Sequence, residues 1–390
     1  MAGKPFYRDK ICSMKTTILI ISIFLAAFQT FGQKMNFEYH QIGEFGYRMG
    51  QTSLVDVDND NDLDWVFGQS GEMYWYEYSS PNDWKLHEIG KGAKTDVGGC
   101  PIDVNHDGWI DFVVGDSWYE NTGNPKKEKF TLHKKNMIFC HDNVAVDIDG
   151  DGIEDIVSLS NDPDNPVLAW YKIPKDYKAN WDYSKIGKGI HGGVGPFGNG
   201  DLDSDGDIDI IRGDVWFENA ESNGSKWEIH ESLIPPGGNR PDKYGLALKV
   251  WCLDMDNDND LDIVEAEADT KNGRVFWFEN TNGAENFIFH PISADATNQD
   301  FHSLAVADFD GDGDMDVLSG GGPLSKDSYK LFVWENISAD GSRWKEHIIL
   351  KDQQIHEAVA ADVDNDGDID ICSKPWHGDL HIFLENKLIE

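Results

Sequence analysis

Asp308-Phe309-Asp310-Gly311-Asp312-Gly313-Asp314-Met315-Asp316 is a phrase that the chain uses seven times. Carboxylates stand at its first, third, fifth and ninth places, and its sixth place holds a residue that tolerates positive φ. Such a loop folds oxygen ligands around a hard cation, and the ligand type points to calcium. The candidate metal ligands are Asp56, Asp58, Asp60 and Asp64; Asp103, Asn105, Asp107 and Asp111; Asp147, Asp149, Asp151 and Asp155; Asp201, Asp203, Asp205 and Asp209; Asp254, Asp256, Asp258 and Asp262; Asp308, Asp310, Asp312 and Asp316; and Asp362, Asp364, Asp366 and Asp370. Successive copies start 47, 44, 54, 53, 54 and 54 residues apart, one repeat unit per copy. An EF-hand opens in the same way but needs Glu at its twelfth place and a helix on each side, and neither is present. Short apolar runs flank the turns instead, Ala305-Val306-Ala307 before and Val317-Leu318 after, which reads as strand, metal turn, strand.

A period near 50 residues overrides the two or three domains that 390 residues would otherwise suggest, and argues for one closed array. The formal net charge of −38 has a local cause: 27 of the 71 acidic residues sit at ligand places, and removing them leaves −11. No basic stripe with interleaved aromatics is present, so nucleic acid is excluded as a partner. Cys100, Cys140, Cys252 and Cys372 show no zinc spacing. They are read as buried thiols, with one or two disulfides left open.

Residues 1–33 read as an export signal. Lys15 precedes an apolar stretch, 18–28, too short to span a membrane comfortably, and Thr30-Phe31-Gly32 offers small residues for cleavage before Gln33. Met14 is the natural start of such a signal. The protein is expected to be exported, periplasmic or secreted, with residues 34–390 as a single domain and no membrane span.

Within each unit the metal turn is followed by an aromatic phrase, as in Trp75-Tyr76-Glu77, Trp118-Tyr119-Glu120-Asn121 and Trp277-Phe278-Glu279-Asn280. A fourth strand follows, carrying His three places after an aromatic: Trp84 and His87, Phe130 and His133, Trp227 and His230, Phe287 and His290, Trp344 and His347. Seven units of four strands make a seven-bladed, all-β propeller with aromatics wedged between blades. The last unit stops after Phe383-Leu384-Glu385-Asn386, while Phe37-Glu38-Tyr39-His40-Gln41-Ile42 matches its missing strand, so the N-terminus is expected to close the ring.

With these turns the chain resembles the integrin-α-like FG-GAP/VCBS propeller family, whose calcium turn is Asp-x-Asp-x-Asp-Gly-x-x-Asp, over the whole of residues 34–390. Asn105 replaces one ligand, which predicts a weaker second site. Asn61 and Asn259 stand where Gly is usual and tolerate the same left-handed geometry. The resemblance implies calcium that is structural, in up to seven sites, with no organic cofactor.

Six strand residues span roughly 20 Å, so groups entering an innermost strand sit on the face opposite the metals. His141, His302 and His356 each stand six places before a turn; His191 and Tyr244 stand ten before. These five are the candidate catalytic residues, gathered around one mouth of the channel as general base and acid. His40, His87, His133, His230, His290 and His347 belong to the repeat and are read as structural. Arg48, Arg212, Arg240, Lys243, Lys374 and His377 are the candidate substrate-binding residues, the cations among them as clamps for an anionic sugar.

Propellers of the resembled family are similar to the module of aldos-2-ulose dehydratase, and seven-bladed polysaccharide lyases use a similar His and Tyr pair. That resemblance implies a carbon–oxygen lyase, a dehydratase or polysaccharide-lyase-type enzyme, acting as a monomer on acidic, uronate-containing oligosaccharides such as ulvan fragments. The alternative is a non-catalytic, calcium-stabilised propeller binding glycans or protein partners through the same face. A lectin needs aromatic platforms and amides, whereas elimination needs a base.

Overall fold

Each nine-residue phrase forms a tight turn because its first aspartate holds the loop from inside. Asp308 Oδ1 accepts the N–H of Asp312 at 3.1 Å and Oδ2 that of Gly313 at 2.9 Å. The same pair of bonds recurs in the other six turns. The sixth place has φ between 78° and 98° throughout, at Asn61 and Asn259 as at the five glycines, so asparagine does serve there.

The computed structural model describes residues 34–95, 97–240, 247–294, 297–326 and 328–389. The export segment expected in 1–33, with Cys12, lies outside the described residues, as do Lys243 and Tyr244. All the regular structure described is β-strand, in seven sheets. Blade one is Met49–Val55, Asp64–Gln69, Glu72–Ser80 and Asp83–Lys91, from inside to outside, and the other blades repeat that order. Blade four alone breaks its inner strand. Pro196–Phe197 pairs in parallel with Leu248–Leu253 of blade five, and only Asn199–Gly200 pairs within blade four.

The ninth-place aspartate ties the turn to the blade. Asp64 Oδ2 accepts the Val57 N–H at 2.9 Å and Oδ1 the Tyr78 N–H at 3.0 Å, joining turn, second strand and third strand through one buried carboxylate. Neighbouring blades are then stitched by the asparagine that ends the aromatic phrase. Asn121, Asn219, Asn280 and Asn386 each donate Nδ2–H to a carbonyl in the metal turn of the preceding blade, at Val57, Ile148, Leu202 and Phe309. Between blades one and two, Val57, Val66, Met73 and Trp75 pack on Phe112, Val114, Tyr119 and Phe130. Each such large side chain stabilises the fold by roughly 1.5–3 kcal/mol on full burial.

The ring closes as the sequence predicts. Phe37–Glu44 pairs antiparallel with Leu380–Asn386, from Phe37 opposite Asn386 to Glu44 opposite Leu380. Ile42, Val363, Cys372 and Phe383 of blade seven then pack against Met49, Trp65, Phe67 and Tyr76 of blade one. Cys100, Cys140, Cys252 and Cys372 are free thiols. At the seam, His381 Nδ1 accepts Trp65 Nε1–H at 2.9 Å and Nε2–H donates to the Phe45 carbonyl at 2.9 Å, which fixes a neutral ring.

Two outcomes follow from the closure. Deleting residues 34–44 exposes the edge of Leu380–Asn386, so the truncated chain should melt lower and aggregate in size-exclusion chromatography; an unchanged monomer with an unchanged melt would contradict the closure. Burial pulls the His381 pKa from 6.5 down to about 3. Its folded value lies below its unfolded one, so its contribution is whole above pH 6.5 and is lost as the pH falls from there towards 3, by up to ~1.4 kcal/mol per pH unit. His381→Gln should therefore flatten the fall of urea midpoints between pH 6.5 and 4. The difference between variant and parent isolates His381 from the buried turn aspartates, whose raised pKa values act in the opposite direction; parallel profiles would exclude the effect.

Candidate functional site

Residues from the inner edges of all seven blades line a central channel, among them Gln51, Cys100, Ala145, Phe197, Trp251, Val306 and Ala358, around a cavity of about 570 Å³. The metal turns leave these strands at one end. At the other end a second cavity, about 590 Å³, is lined by His141, His191, His302 and His356 together with Asp142, Asp269, Glu357, Lys249, Trp376 and His377. The two cavities share His141, Asp142, Lys249 and Glu357, so the second is the mouth of the first.

Each histidine reaches the mouth by a different local route. His141 is the second residue of the inner strand Cys140–Val146, at a register shift that turns Asp142 out beside it. His356 precedes Glu357–Ala361, and its N–H bonds the Lys374 carbonyl at 2.9 Å. His191 has a left-handed backbone, φ 62°, ahead of the broken strand of blade four, and its N–H bonds the Ser160 carbonyl at 2.9 Å. The rings come together in pairs, His141 with His191 at 4.4 Å and His302 with His356 at 3.9 Å between centroids.

Charged groups interleave the rings. His141 Nδ1 lies 2.6 Å from Asp142 Oδ1, and His191 Nε2 lies 2.9 Å from Asp269 Oδ2. Lys249 Nζ donates to Glu357 Oε1 at 2.9 Å, and Lys374 Nζ lies 3.1 Å from His356 Nδ1. Burial penalises the Asp142 and Asp269 carboxylates, yet their histidine partners overcome it and hold both well below the usual range. Glu357 is also lowered against burial, by Lys249 and then His302. Burial lowers His302, and it lowers His356 much further with His302 and Lys374 alongside. Carboxylates held ionised against histidine rings suit proton transfer more than the capture of a cation.

The expected cations are placed unevenly. Lys374 is fully buried behind His356 and also donates to the Met49 carbonyl, while His377 lines the mouth. Arg48 is exposed beside Tyr47, whose ring lies 5.4 Å from that of His377. Arg212 holds Asp214, with its Nε 2.9 Å from Oδ1, and the Lys188 carbonyl. Arg240 bonds the Asn272 carbonyl and lies 3.9 Å from Glu267. Neither arginine lines the mouth. Sequence reasoning missed Asp142, Asp269, Glu357, Lys249 and Trp376. Two were legible as neighbours, since Asp142 follows His141 and Glu357 follows His356; Lys249 also stands out inside the apolar run from Ala247 to Trp251.

The repeat histidines make a separate, structural set. His87, His133, His230, His290 and His347 bond Glu77, Glu120, Glu218, Glu279 and Glu335 at 2.6–2.7 Å, and four of them stack on Trp75, Trp118, Trp216 and Trp277. His40 bonds Glu385 at 2.8 Å in the closing strand.

The turns present oxygen sets that fit a hard cation. Ligand atoms of Asp56, Asp58 and Asp64, of Asp147, Asp149 and Asp155, and of Asp201, Asp203 and Asp205 lie within 4.8 Å of one another. Asp149 Oδ1 and Asp155 Oδ2 are buried without a hydrogen-bond partner, as a ligand oxygen would be. Burial pushes Asp64 up to about 9 and Asp209, Asp316 and Asp370 up to about 8, a cost that a bound cation offsets. The turns are not equivalent. Asn105 Nδ2 donates to Asp107 at 3.0 Å, and ammonium groups reach two other turns: Lys126 lies 2.6 Å from Asp58, and Lys172 lies 2.7 Å from Asp151. His302, His356 and Glu357 also converge closely enough for a metal, but Lys249 and Lys374 already set positive charge against the same atoms.

Comparison with known proteins agrees with this architecture. Residues 254–319, from the metal turn of blade five to the second strand of blade six, match the family described as the FG-GAP-like repeat. No curated protein matches the chain in sequence. Among solved structures, an Agrocybe aegerita lectin, described by its specific recognition of non-reducing terminal N-acetylglucosamine, aligns with a TM-score of 0.50 and 13% identity over 77% of this chain and 80% of that one, a likeness of fold. The protein is thus a seven-bladed β-propeller that carries an FG-GAP-like repeat.

Proposed function

We propose that the channel mouth is an acid–base site acting on carbohydrate, and that the protein is a carbon–oxygen lyase for acidic, uronate-containing oligosaccharides such as ulvan fragments. One observation carries this reading: five imidazoles and three carboxylates line a single cavity of about 590 Å³, two of the imidazoles in direct contact with ionised aspartates. A pocket of that volume takes a small ligand, and the Trp376 ring beside His356 offers a sugar face an apolar wall. Lys249, on the cavity wall and shared with Glu357, is the ammonium nearest to hand for a uronate carboxylate.

The reaction needs no redox partner. A histidine nitrogen takes the proton from the carbon next to the carboxylate or keto group, the C–H electron pair forms an enolate, and the bond from the next carbon to its oxygen then breaks. That oxygen leaves with the bonding pair and is protonated, as water in a dehydratase or as a sugar hydroxyl in a lyase.

Incubating the purified protein with a panel of uronic-acid oligosaccharides should raise absorbance near 235 nm, with loss of one water or chain scission in the mass spectrum. His141→Ala should lower kcat by about 10²–10⁴ fold, the usual contribution of a positioned base, and leave the melting temperature in place. The second reading is a non-catalytic glycan-binding propeller, favoured by the aromatic rim of Tyr47, Trp376 and His377. A flat trace and unchanged masses together with retained glycan binding would establish it instead.

The turn carboxylates are proposed to hold calcium, which supplies charge neutralisation and rigidity at the far end of the channel and takes no part in the reaction. Chelation should lower the melting temperature, because a cation bound only to the folded state stabilises it by mass action. Excess calcium should restore it, and a melt indifferent to both would show that the turns work without metal. No helix among the described residues is long and apolar enough to cross a membrane, and an exported monomer remains the expectation.

A further inference from the structure

The two ends of the histidine cluster carry opposite hydrogen-bond polarity. An ionised carboxylate only accepts, so the 2.6 Å contact with Asp142 Oδ1 puts the proton of His141 on Nδ1. Asp142 is itself fixed, its other oxygen taking the N–H groups of Val194 and Gly195 at 3.1 and 3.0 Å. A neutral ring protonated on Nδ1 keeps its lone pair on Nε2, for which the described residues supply no hydrogen-bond partner. An ammonium only donates, so the 3.1 Å contact with Lys374 requires the lone pair of His356 on Nδ1 and its proton on Nε2. Lys374 is buried outside the cavity lining while His356 is part of it, so the ring is interposed between ammonium and cavity. His191 is different, with both nitrogens engaged, Nδ1 with Asn161 at 3.3 Å and Nε2 with Asp269 at 2.9 Å. His302 bonds the His356 carbonyl through Nδ1 at 3.0 Å.

We infer that the mouth has a built-in polarity, with His141 Nε2 as its proton-accepting end and His356 Nε2–H as its proton-donating end, each set by a positioning residue, Asp142 for the first and Lys374 for the second. The roles this gives to chemistry rest on the eliminase reading and make it specific. His141 Nε2 takes the carbon-bound proton, and the enolate oxygen accepts a hydrogen bond from His356 Nε2–H as its charge develops. When the enolate collapses and the carbon–oxygen bond breaks, the leaving oxygen takes the proton held by the His141 imidazolium, so no proton or electron is left over. The ligand class follows: a sugar whose acidic C–H faces blade three and whose adjacent carbonyl or carboxylate oxygen faces blade seven.

The tautomers can be read without any substrate. Two-bond ¹H–¹⁵N correlation on the full chain labelled with ¹⁵N-histidine at pH 7.5, with signals assigned by loss in His141→Ala and His356→Ala, should show Nδ1–H for His141 and Nε2–H for His356. An Nε2–H tautomer at His141, or an Nδ1–H tautomer or imidazolium at His356, overturns the inference. Asp142→Asn removes the obligate acceptor, so His141 should lose its Nδ1–H preference and kcat on an active oligosaccharide should fall by about 10²-fold with KM unchanged. Lys374→Met should raise the pH at which His356 titrates; a titration unmoved in a folded variant counts against Lys374 as its positioning residue. Should the tautomers hold while every uronate panel stays silent, the polarity stands and the lyase reading falls.

Discussion

A buried aspartate that accepts backbone N–H groups from two directions is the contact on which this propeller depends. Asp370 takes the Val363 N–H at 3.0 Å and the Asn386 N–H at 2.8 Å, and Asp64, Asp111, Asp209, Asp262 and Asp316 make the equivalent pair. Asp155 keeps only the bond to Ile173. Six of the seven carboxylates thus bind the turn to the third strand and fix that end of the blade. The opposite strand ends and loops, free of that clamp, carry the histidines. Division of labour between the two faces is therefore a consequence of strand length: anchoring carboxylates at one end, the histidine cluster at the other.

The mouth is electrostatically unlike the turns. In the turns, carboxylates crowd together and burial raises their pKa values, a cost that a bound cation would offset. At the mouth the carboxylates are lowered, because each already faces an imidazole or an ammonium. Such a site is internally compensated. It holds its imidazoles oriented, and burial favours the neutral form of His302 and His356.

Period and composition carried most of the fold. Seven aspartate phrases, the strand missing after Asn386 and its match at Phe37 sufficed for blade number and closure, because each is local or repeated. His141, His302 and His356 were legible for a related reason: they are the residues that break the repeat at a constant distance from it. Their partners were legible only in part. Asp142 and Glu357 stand next to His141 and His356, but Asp269 meets His191 across 78 residues, and among 71 acidic residues no spacing marks it. The arginines misled for the converse reason. Arg212 is taken by Asp214 two residues away and Arg240 by the Asn272 carbonyl, and an engaged guanidinium looks the same in sequence as one open to a ligand. Inequality among the turns was half visible: Asn105 could be seen, whereas the reach of Lys126 and Lys172 into carboxylate loops is a tertiary fact.

The most direct measurement is an experimental structure of the His141→Ala protein soaked with a uronate oligosaccharide. Sugar density is expected in the mouth, with one ring against Trp376, an oxygen within hydrogen-bond distance of His356 Nε2, and an acidic carbon facing the space left by residue 141. Sugar bound only on the outer blades or beside the metal turns, with the mouth holding solvent, would contradict it.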